Sequence, residues 1–256
     1  MQLDLKNKIC LITGSTSGIG LAIAKKLLDE KAIIYINGRD EQKMKDVLSS
    51  LKSEYPNIPI NGIIADLSKV DGVEKVIKML PKIDILINNV GFFEPKSYSD
   101  LTESDWNDSF NVNFRCSEKL SKHYVKDMLS NGWGRIIFIS SASGIHIQPN
   151  LLPYGAAKAA QLTVSEGLAK TTIYTGVTVN VVAPGPTWTE GARIFIKKLA
   201  TQRNESFEDT KQNFFKIDRP NSKIKRWLSV DEVANLVIFL VSPLASGING
   251  QIYMLY

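Results

Sequence analysis

Tyr154 and Lys158 have types and a spacing that could do chemistry. They stand four positions apart in the stretch YGAAK, with only small residues between them. On a helix, two side chains at this spacing leave the same face close to each other. A lysine ammonium beside a phenol favours the phenolate, so we expect Lys158 to lower the pKa of Tyr154. The pair therefore predicts a proton donor and acceptor that works near neutral pH.

A glycine-rich loop is the second chemical feature. The stretch TGSTSGIG places Gly14, Gly18 and Gly20 directly after the apolar run ICLIT. Glycines at this point permit a tight turn and a close approach of the backbone, and the helix that follows directs its N-terminal N–H groups at a phosphate. The loop predicts a dinucleotide site, although a tight strand-to-helix turn alone would also use such glycines.

The end of the second apolar run bears on the choice of dinucleotide. Gly38 and Arg39 stand in YINGRD, at the turn where NAD sites usually hold an acidic residue. An arginine can hold a ribose 2′-phosphate through two parallel hydrogen bonds, whereas a carboxylate would repel it. Asp40 is the competing residue, but we assign it to the N-cap of the next helix. The sequence therefore favours NADP(H), with NAD(H) as the alternative.

The elements that must position these residues alternate along the whole chain. Apolar, strand-like runs lie at 9–13, 32–37, 61–65, 83–88, 134–140, 177–184 and 250–255, and helical patterns lie at 19–30, about 40–55, 69–80, about 103–129, 154 to about 175, and 229–240. Strands separated by helices predict βαβ units, and continuous apolar strands predict a sheet covered on both faces. We expect an α/β fold with one domain over residues 1–256: a doubly wound, Rossmann-type parallel sheet of about seven strands with helices on both faces.

Residues 190–228 interrupt this alternation. The segment is long and charged, and its aromatic residues are Phe195, Phe207, Phe214, Phe215 and Trp227. Aromatic side chains in a charged insertion suit a mobile lid over a binding cleft. The alternative is an excursion that packs a small core of its own.

Composition and charge limit the classes of function. The chain has 256 residues, of which 44% are hydrophobic and 22% charged, and its net charge is +5. The charge fits either an anionic partner or a solvated surface, and no aromatic-interleaved basic stripe indicates nucleic acid. No apolar run approaches the roughly 18 residues of a membrane span, and the N-terminus lacks the apolar region of a signal peptide. Cys10 and Cys116 lie in apolar or amphipathic patterns, so we expect core thiols and a cytoplasmic protein.

Five motifs, in their order and spacing, closely resemble those of the short-chain dehydrogenase/reductase family. They are TGSTSGIG, NNVG (88–91), ISSASG (139–144), YGAAK and NVVAPGPTWT (180–189), and the resemblance covers essentially the whole chain. Within that family, the sequence resembles the branch of 3-oxoacyl-[acyl-carrier-protein] reductases. The resemblance implies an NADP(H)-dependent enzyme that transfers a hydride between nicotinamide and a carbonyl or alcohol.

The resemblance also implies roles for single residues. Tyr154 corresponds to the catalytic acid/base, and Lys158 to the lysine that lowers its pKa and binds the nicotinamide ribose. Ser141 corresponds to the hydroxyl that orients the substrate carbonyl; Ser140 and Ser143 fit less well, because a strand end directs only alternate side chains to one face.

Asn113 corresponds to the asparagine of a proton relay, with Asn111 as the rival. Cofactor contacts are implied for Gly14, Ser15, Gly18, Ile19, Gly20, Arg39, Asp66, Leu67, Asn89, Gly91, Tyr154, Lys158, Pro184, Gly185 and Thr189. His146 is a candidate at the substrate entrance, His123 is expected to be structural, and no spacing of ligand residues indicates a metal site.

The substrate and partners stay open at this stage. The alternatives are a small ketone or sugar-like alcohol, the 3-oxoacyl group of an acyl carrier protein, and, in another class, a cofactor-binding sensor or scaffold without turnover. Relatives commonly form homotetramers or homodimers through the two long helices, here about 103–129 and 154–175. One departure is that members usually carry a short Asp-Gly-Gly tail after the last strand, where this sequence has Tyr256.

Overall fold

A single sheet of seven strands, each parallel to its neighbours, organises the protein. The computed structural model describes residues 3–256, so Met1 and Gln2 of the predicted domain lie outside the described residues. The strands are β1 (Ile9–Ile12), β2 (Ile33–Gly38), β3 (Ile60–Ile64), β4 (Ile85–Asn88), β5 (Gly134–Ile139), β6 (Val177–Pro184) and β7 (Ile252–Leu255). Their spatial order is β3-β2-β1-β4-β5-β6-β7. The predicted doubly wound parallel sheet is confirmed.

The helices cover both faces of this sheet. They are α1 (Gly18–Asp29), α2 (Glu41–Glu54), α3 (Val70–Met79), α4 (Glu103–Phe110), α5 (Cys116–Ser130), α6 (Leu152–Thr171), α7 (Glu190–Arg203), α8 (Phe207–Ile217) and α9 (Val230–Val241). Within residues 3–256, no helix is long and apolar enough to cross a membrane.

Two hydrophobic cores result, one on each face. Alternate residues of a strand point to opposite faces. Cys10 and Ile12 therefore join the core under α1, α2 and α9, while Leu11 joins the core under α3, α5 and α6. All three are fully buried, which is why the strand reads as an unbroken apolar run. Cys116 is buried in the second core, and both cysteines are free thiols.

The helix predicted over about 103–129 is interrupted where chemistry was expected. A π-helical turn, Asn111–Arg115, separates α4 from α5. The Asn113 side chain explains it, because its Nδ2 donates to the Ser109 carbonyl oxygen at 2.9 Å and so takes an acceptor from the helical ladder. Turns of this kind are frequent at functional sites, and hydrophobic periodicity does not reveal them.

Two other helix boundaries matter for the site. Asp40 accepts a hydrogen bond from the Lys43 backbone N–H at 2.8 Å, so its predicted N-cap role is confirmed. Helix α6 begins at Leu152, two residues before Tyr154, because Pro153 stands in its first turn, where a missing N–H costs nothing.

The insertion at 190–228 packs a small core of its own, as one of the two alternatives expected, while its role as a lid stays a prediction. Helices α7 and α8 bury Ile196, Phe214 and Phe215, with Trp188, Phe195, Leu199, Phe207 and Trp227 packed around them. A short parallel bridge between Thr187 and Leu228 closes the base of the insertion.

Candidate active site

The site lies where the carboxyl ends of the strands meet the insertion. Strand order reverses between β1 and β4, which is where α/β sheets bind ligands. A cavity of about 540 Å³ opens there and is lined by residues from the ends of β4, β5 and β6, the start of α6 and the inner side of the insertion.

The glycine loop owes its shape to two backbone conformations and one close approach. Gly14 and Gly18 have φ values of +60° and +57°, which favour glycine. A Cβ on Gly20 would stand 2.5 Å from Asn89 Nδ2 and 2.7 Å from the Gly14 carbonyl oxygen. Any larger residue at position 20 would push α1 away from the loop.

Ser15 lies beneath this loop. Its hydroxyl donates to the Ile12 carbonyl oxygen at 2.7 Å and accepts from the Asn37 N–H at 3.0 Å, and the residue is fully buried. Ser15 therefore fixes the loop and does not present its hydroxyl to a ligand. Asn37 was not found by sequence analysis, although an asparagine inside an apolar strand is a signal; its Oδ1 accepts from the Gly14 N–H at 3.3 Å.

The NNVG segment is tied to the same loop. Asn89 Nδ2 donates to the carbonyl oxygens of Thr13 and Gly14, both at 2.9 Å. Thr13 Oγ1 accepts from the backbone N–H groups of Asn89 at 2.9 Å and Val90 at 3.0 Å. Asn89 thus positions the loop through its side chain, whereas Val90 takes part only through its backbone N–H.

Arg39 and Asp66, two of the residues predicted to contact a cofactor, lie after β2 and β3 and close enough for the Arg39 charge to act on Asp66. Arg39 is exposed and, within residues 3–256, forms no ion pair. The pKa of the Asp66 carboxyl is lowered overall. Burial alone would raise it, but hydrogen bonds from Ser68 and the Arg39 charge have the larger combined effect. Both Ser68 bonds reach Oδ1, at 2.8 and 3.0 Å. The Leu67 side chain is buried in the core beside α3.

Ser141 and Tyr154 lie next to each other in the wall of the cavity. The pKa of the Tyr154 phenol is raised by burial, and the Ser141 hydroxyl beside it acts in the opposite direction. Ser140 is turned the other way, because its buried hydroxyl donates to the Lys158 carbonyl oxygen at 2.9 Å. Ser143 contributes its backbone N–H to Ser141 Oγ at 3.1 Å. The structure therefore brings Ser141, and not Ser140, next to the tyrosine.

Lys158 shares the helix face of Tyr154 but does not lower its pKa in this structure, in contrast to the sequence expectation. The Nζ atom lies 5.8 Å from the centre of the Tyr154 ring. It donates to the Ile139 carbonyl oxygen at 2.9 Å and to Gln161 Oε1 at 3.3 Å. The lysine is itself buried, and burial lowers its pKa to about 8, well below the ordinary value of a lysine.

Asn113 lies close to Lys158, whereas Asn111 does not. A Cβ on Gly91 would stand 3.2 Å from Asn113 Oδ1 and 3.5 Å from Lys158 Nζ. Asn113 is fully buried and exchanges two hydrogen bonds of 2.9 Å with the Phe92 backbone. Asn111 is exposed and lines a separate cavity of about 200 Å³ beside α3.

The segment after β6 lines the cavity beside the glycine loop. Thr189 caps α7 by accepting from the Ala192 N–H at 3.1 Å, and its Cγ2 would stand 3.4 Å from a Cβ on Gly18. A Cβ on Gly185 would lie 2.8 Å from Tyr256 Cβ. Further lining residues that were predicted for the cofactor are Ile19, Asn89, Gly91 and Pro184.

Several lining residues were missed by sequence reasoning. Phe93 lies 5.7 Å from the Tyr154 ring and 5.9 Å from the Phe195 ring, measured between ring centres. Tyr256 was also missed; its hydroxyl lies 2.8 Å from Nε2 of His146, the candidate that the sequence did offer, and both residues line the cavity. No residue type or local spacing marks Phe93 or Tyr256, because they reach the cavity through the fold. His123 lies elsewhere, beside the Pro81 carbonyl oxygen.

Comparison with known proteins decides the family. The family model described as short chain dehydrogenase matches residues 8–199. The chain belongs to the short-chain dehydrogenase family. It is an oxidoreductase of that type, and the resemblance seen in the motifs is confirmed.

Relatives of this short-chain dehydrogenase match it along nearly the whole chain. The uncharacterized oxidoreductase YvrD of Bacillus subtilis is 42% identical over 253 residues, which cover 98% of this chain and 95% of the relative. The 3-oxoacyl-[acyl-carrier-protein] reductase FabG of Aquifex aeolicus is 30% identical, covering 98% and 97%. The L-sorbose reductase of Gluconobacter frateurii, solved with NADPH and L-sorbose, superposes with a TM-score of 0.92 at 27% identity, covering 100% of this chain and 97% of that one.

Proposed function

We propose that this enzyme uses NADP(H) to interconvert a small-molecule carbonyl compound and its alcohol, with Tyr154 as acid/base. The observation that carries the proposal is the meeting of Ser141, Tyr154 and Lys158 in one cavity with the start of α1 and the end of β6. The L-sorbose reductase complex supports it by analogy, since that enzyme was solved with NADPH and a sugar.

The glycine loop fits a dinucleotide. Among the described residues, no side chain caps the first turn of α1, so its backbone N–H groups are available to an anion. Ile19 in that turn lines the cavity. When bound there, the nicotinamide cofactor supplies or accepts the hydride. We assign its diphosphate to Gly14, Gly18 and the α1 N-terminus.

Arg39 supports NADP(H) over NAD(H). Its guanidinium is exposed and has no carboxylate partner in residues 3–256, so both edges of its fork are available to a 2′-phosphate. Asp66 keeps one carboxylate oxygen, Oδ2, without a hydrogen bond from the described residues, and we assign that oxygen to the adenine amine.

In reduction, Tyr154 gives its phenolic proton to the substrate oxygen, and Ser141 holds the same oxygen by donating a hydrogen bond. In oxidation, Tyr154 takes the proton back. The pKa of the phenol, raised by burial, suits the protonated form that reduction needs. Lys158 and Asn113 are both buried, and both lie beside Gly91. They form the path by which a proton reaches the Tyr154 hydroxyl.

Consumption of NADPH and NADH across a panel of carbonyl compounds tests the proposal. The panel contains small ketones, a ketose and a 3-oxoacyl thioester. We expect turnover of at least one compound with NADPH, and faster turnover with NADPH than with NADH. Binding of NADPH without turnover of any compound would contradict the proposed reaction.

Reduction of a 3-oxoacyl group on acyl carrier protein is the second candidate. The relative from Aquifex aeolicus carries that activity in its name, and a net charge of +5 suits an acidic carrier. Fast reduction of the thioester in the same panel would favour it. We also propose a homotetramer or homodimer that packs through α4–α5 and α6, which light scattering on the purified protein tests.

A further inference from the structure

Arg219 lines the cavity and, within residues 3–256, forms no ion pair with a carboxylate. It follows the C-terminal end of α8 and is half-buried. Its Nη1 donates to Gln148 Oε1 at 3.0 Å and to the Asp218 carbonyl oxygen at 2.8 Å. The opposite edge of the guanidinium, formed by Nε and Nη2, makes no hydrogen bond within the described part of the chain. Both acceptors that it does reach are uncharged.

The neighbouring carboxylate acts on Arg219 only through space, because its hydrogen bonds go to another cation. Asp218 is the one carboxylate among the described residues that line the cavity. Both of its oxygens are held by Arg203, whose Nη1 and Nη2 donate at 3.0 and 2.5 Å. Lys223 adds a second positive charge near the cavity, because its Nζ lies 5.5 Å from the centre of the ring of Tyr256, which lines the cavity.

The surroundings of Arg219 make an unpaired charge costly. Its Cζ lies 5.4 Å from the centre of the Phe214 ring, and Phe195, Trp227 and Leu151 also line the cavity. Burial lowers the pKa of Arg219, which reports the same loss of solvation. A cation in an apolar wall is favourable when a ligand supplies the opposite charge, and two parallel N–H donors match a carboxylate.

We propose that Arg219 binds a carboxylate group of the substrate, so that the preferred substrates are oxo acids and the corresponding hydroxy acids. This inference rests on the proposed function, because the acid must place its carbonyl at Tyr154 while its carboxylate reaches Arg219. Gln148 acts as a positioning residue: by accepting from Nη1 it leaves the Nε–Nη2 edge free for the ligand.

Matched pairs of substrates test this inference. The purified full chain is assayed with NADPH and with 2-, 3- and 4-oxohexanoate, each beside its methyl ester, and with L-sorbose as a neutral polyol. We expect kcat/KM for at least one acid to exceed that for its ester by about tenfold or more, the range of a hydrogen-bonded charge pair. Equal values for every acid and ester, or a preference for L-sorbose over all of them, would overturn the inference.

Two substitutions at the same position separate recognition from structure. Arg219→Gln should lower the ratio of kcat/KM between acid and ester to near one, chiefly through KM, and Arg219→Lys should restore part of that ratio. Arg193→Gln is the matched control, because Arg193 is an exposed cation on the same insertion and does not line the cavity. Equal losses for acid and ester in Arg219→Gln would mean that Arg219 acts through the Gln148 bond alone, and would overturn the inference.

A binding measurement keeps this inference distinct from the proposed function. Calorimetry with hexanoate and hexanamide, with and without NADPH, requires no turnover. Tighter binding of hexanoate, weakened in Arg219→Gln, would support the carboxylate site even if no carbonyl compound were reduced. Turnover of neutral carbonyl compounds with no preference for hexanoate would overturn the site and leave the proposed reaction standing.

Discussion

Lys158 Nζ lies 5.8 Å from the centre of the Tyr154 ring, while its hydrogen bonds go to the Ile139 carbonyl oxygen and the Gln161 side chain. The two residues share a helix face, as their spacing predicts, but the ammonium group of Lys158 is held by these other partners. The pKa of Tyr154 is accordingly set by burial, which raises it, and by the Ser141 hydroxyl, which acts in the opposite direction.

Removal of the Tyr154 hydroxyl should stop the chemistry and leave the fold intact. Tyr154→Phe keeps the ring that packs on Phe93. We expect kcat to fall about 10²- to 10⁴-fold, the usual contribution of general acid–base catalysis, with the Kd for NADPH changed less than about twofold. Tyr98→Phe, at an exposed position, is the control. A Tyr154→Phe enzyme with the wild-type rate would rule out the assigned acid/base.

Burial of Lys158 should make stability depend on pH. Its pKa is about 8 in the fold and about 10.4 when unfolded, so between these values the unfolded chain binds more protons and stability rises with pH. Lys158→Met removes this contribution. Guanidinium unfolding from pH 7.5 to 10 should show wild type gaining up to about 1.4 kcal/mol per pH unit relative to the variant. Parallel stability curves would contradict the burial of a titrating lysine.

The charge at position 39 should set the preference between cofactors. Arg39→Asp replaces the only cation that we assign to the 2′-phosphate with a carboxylate that repels it. We expect kcat/KM for NADPH to fall by about tenfold or more and the preference to reverse toward NADH. Lys52→Asp, an equal change of charge in the last turn of α2, should leave the preference as it was. An unchanged preference in Arg39→Asp would mean that another cation binds the phosphate.

Asn37 should contribute to the stability of the fold and to NADPH binding, although we assign it no contact with a ligand. Besides holding Gly14, its Nδ2 donates to the carbonyl oxygens of Ile63 and Ala65 at 3.1 and 3.2 Å. Asn37→Ala leaves these buried groups unpaired, at a cost of about 1–3 kcal/mol in the free energy of unfolding. Denaturant titration should show this loss together with weaker NADPH binding. Asn61→Ala, at an exposed position of β3, provides the comparison.

Truncation of Phe214 should loosen the insertion and spare the sheet. Its ring stacks on Trp227 with centres 4.7 Å apart and is almost fully buried. Phe214→Ala should reduce the local stability of the insertion by about 3–5 kcal/mol, the usual cost of such a truncation. Hydrogen exchange should then accelerate in α7 and α8 and stay slow in β4 and β5. Uniform acceleration would show that the insertion and the sheet unfold together.

The features that could be read from the sequence are those that local patterns determine. The seven apolar runs gave the strands, because a sheet covered on both faces requires continuous burial, as at Cys10, Leu11 and Ile12. Likewise, Asp40 could be placed as an N-cap from its position after the β2 run. The family motifs supplied Ser141 rather than Ser140, which the orientation of the two hydroxyls in the structure favours as well.

The remaining features depend on long-range packing. The π-helical turn at Asn113 arises from one side-chain hydrogen bond, which no periodicity reports. Arg219 and Gln148 stand 71 residues apart, and neither is unusual in its local sequence. The pKa direction of Tyr154 depends on how deeply the cavity buries the phenol, whereas spacing reports only that Lys158 is near.

The insertion at 190–228 carries its own aromatic core, and this has a consequence for how such an enzyme can diverge. The insertion contributes Arg219 and Phe214 to the wall of the cavity, while the glycine loop and Ser141 follow strands of the sheet and Lys158 lies on α6. The insertion is therefore stabilised by contacts separate from those of the sheet, so mutations in it disturb the sheet little. Selection can replace the lining residues of the insertion one by one, and so change which molecules the cavity binds, while the residues proposed for proton transfer are inherited unchanged.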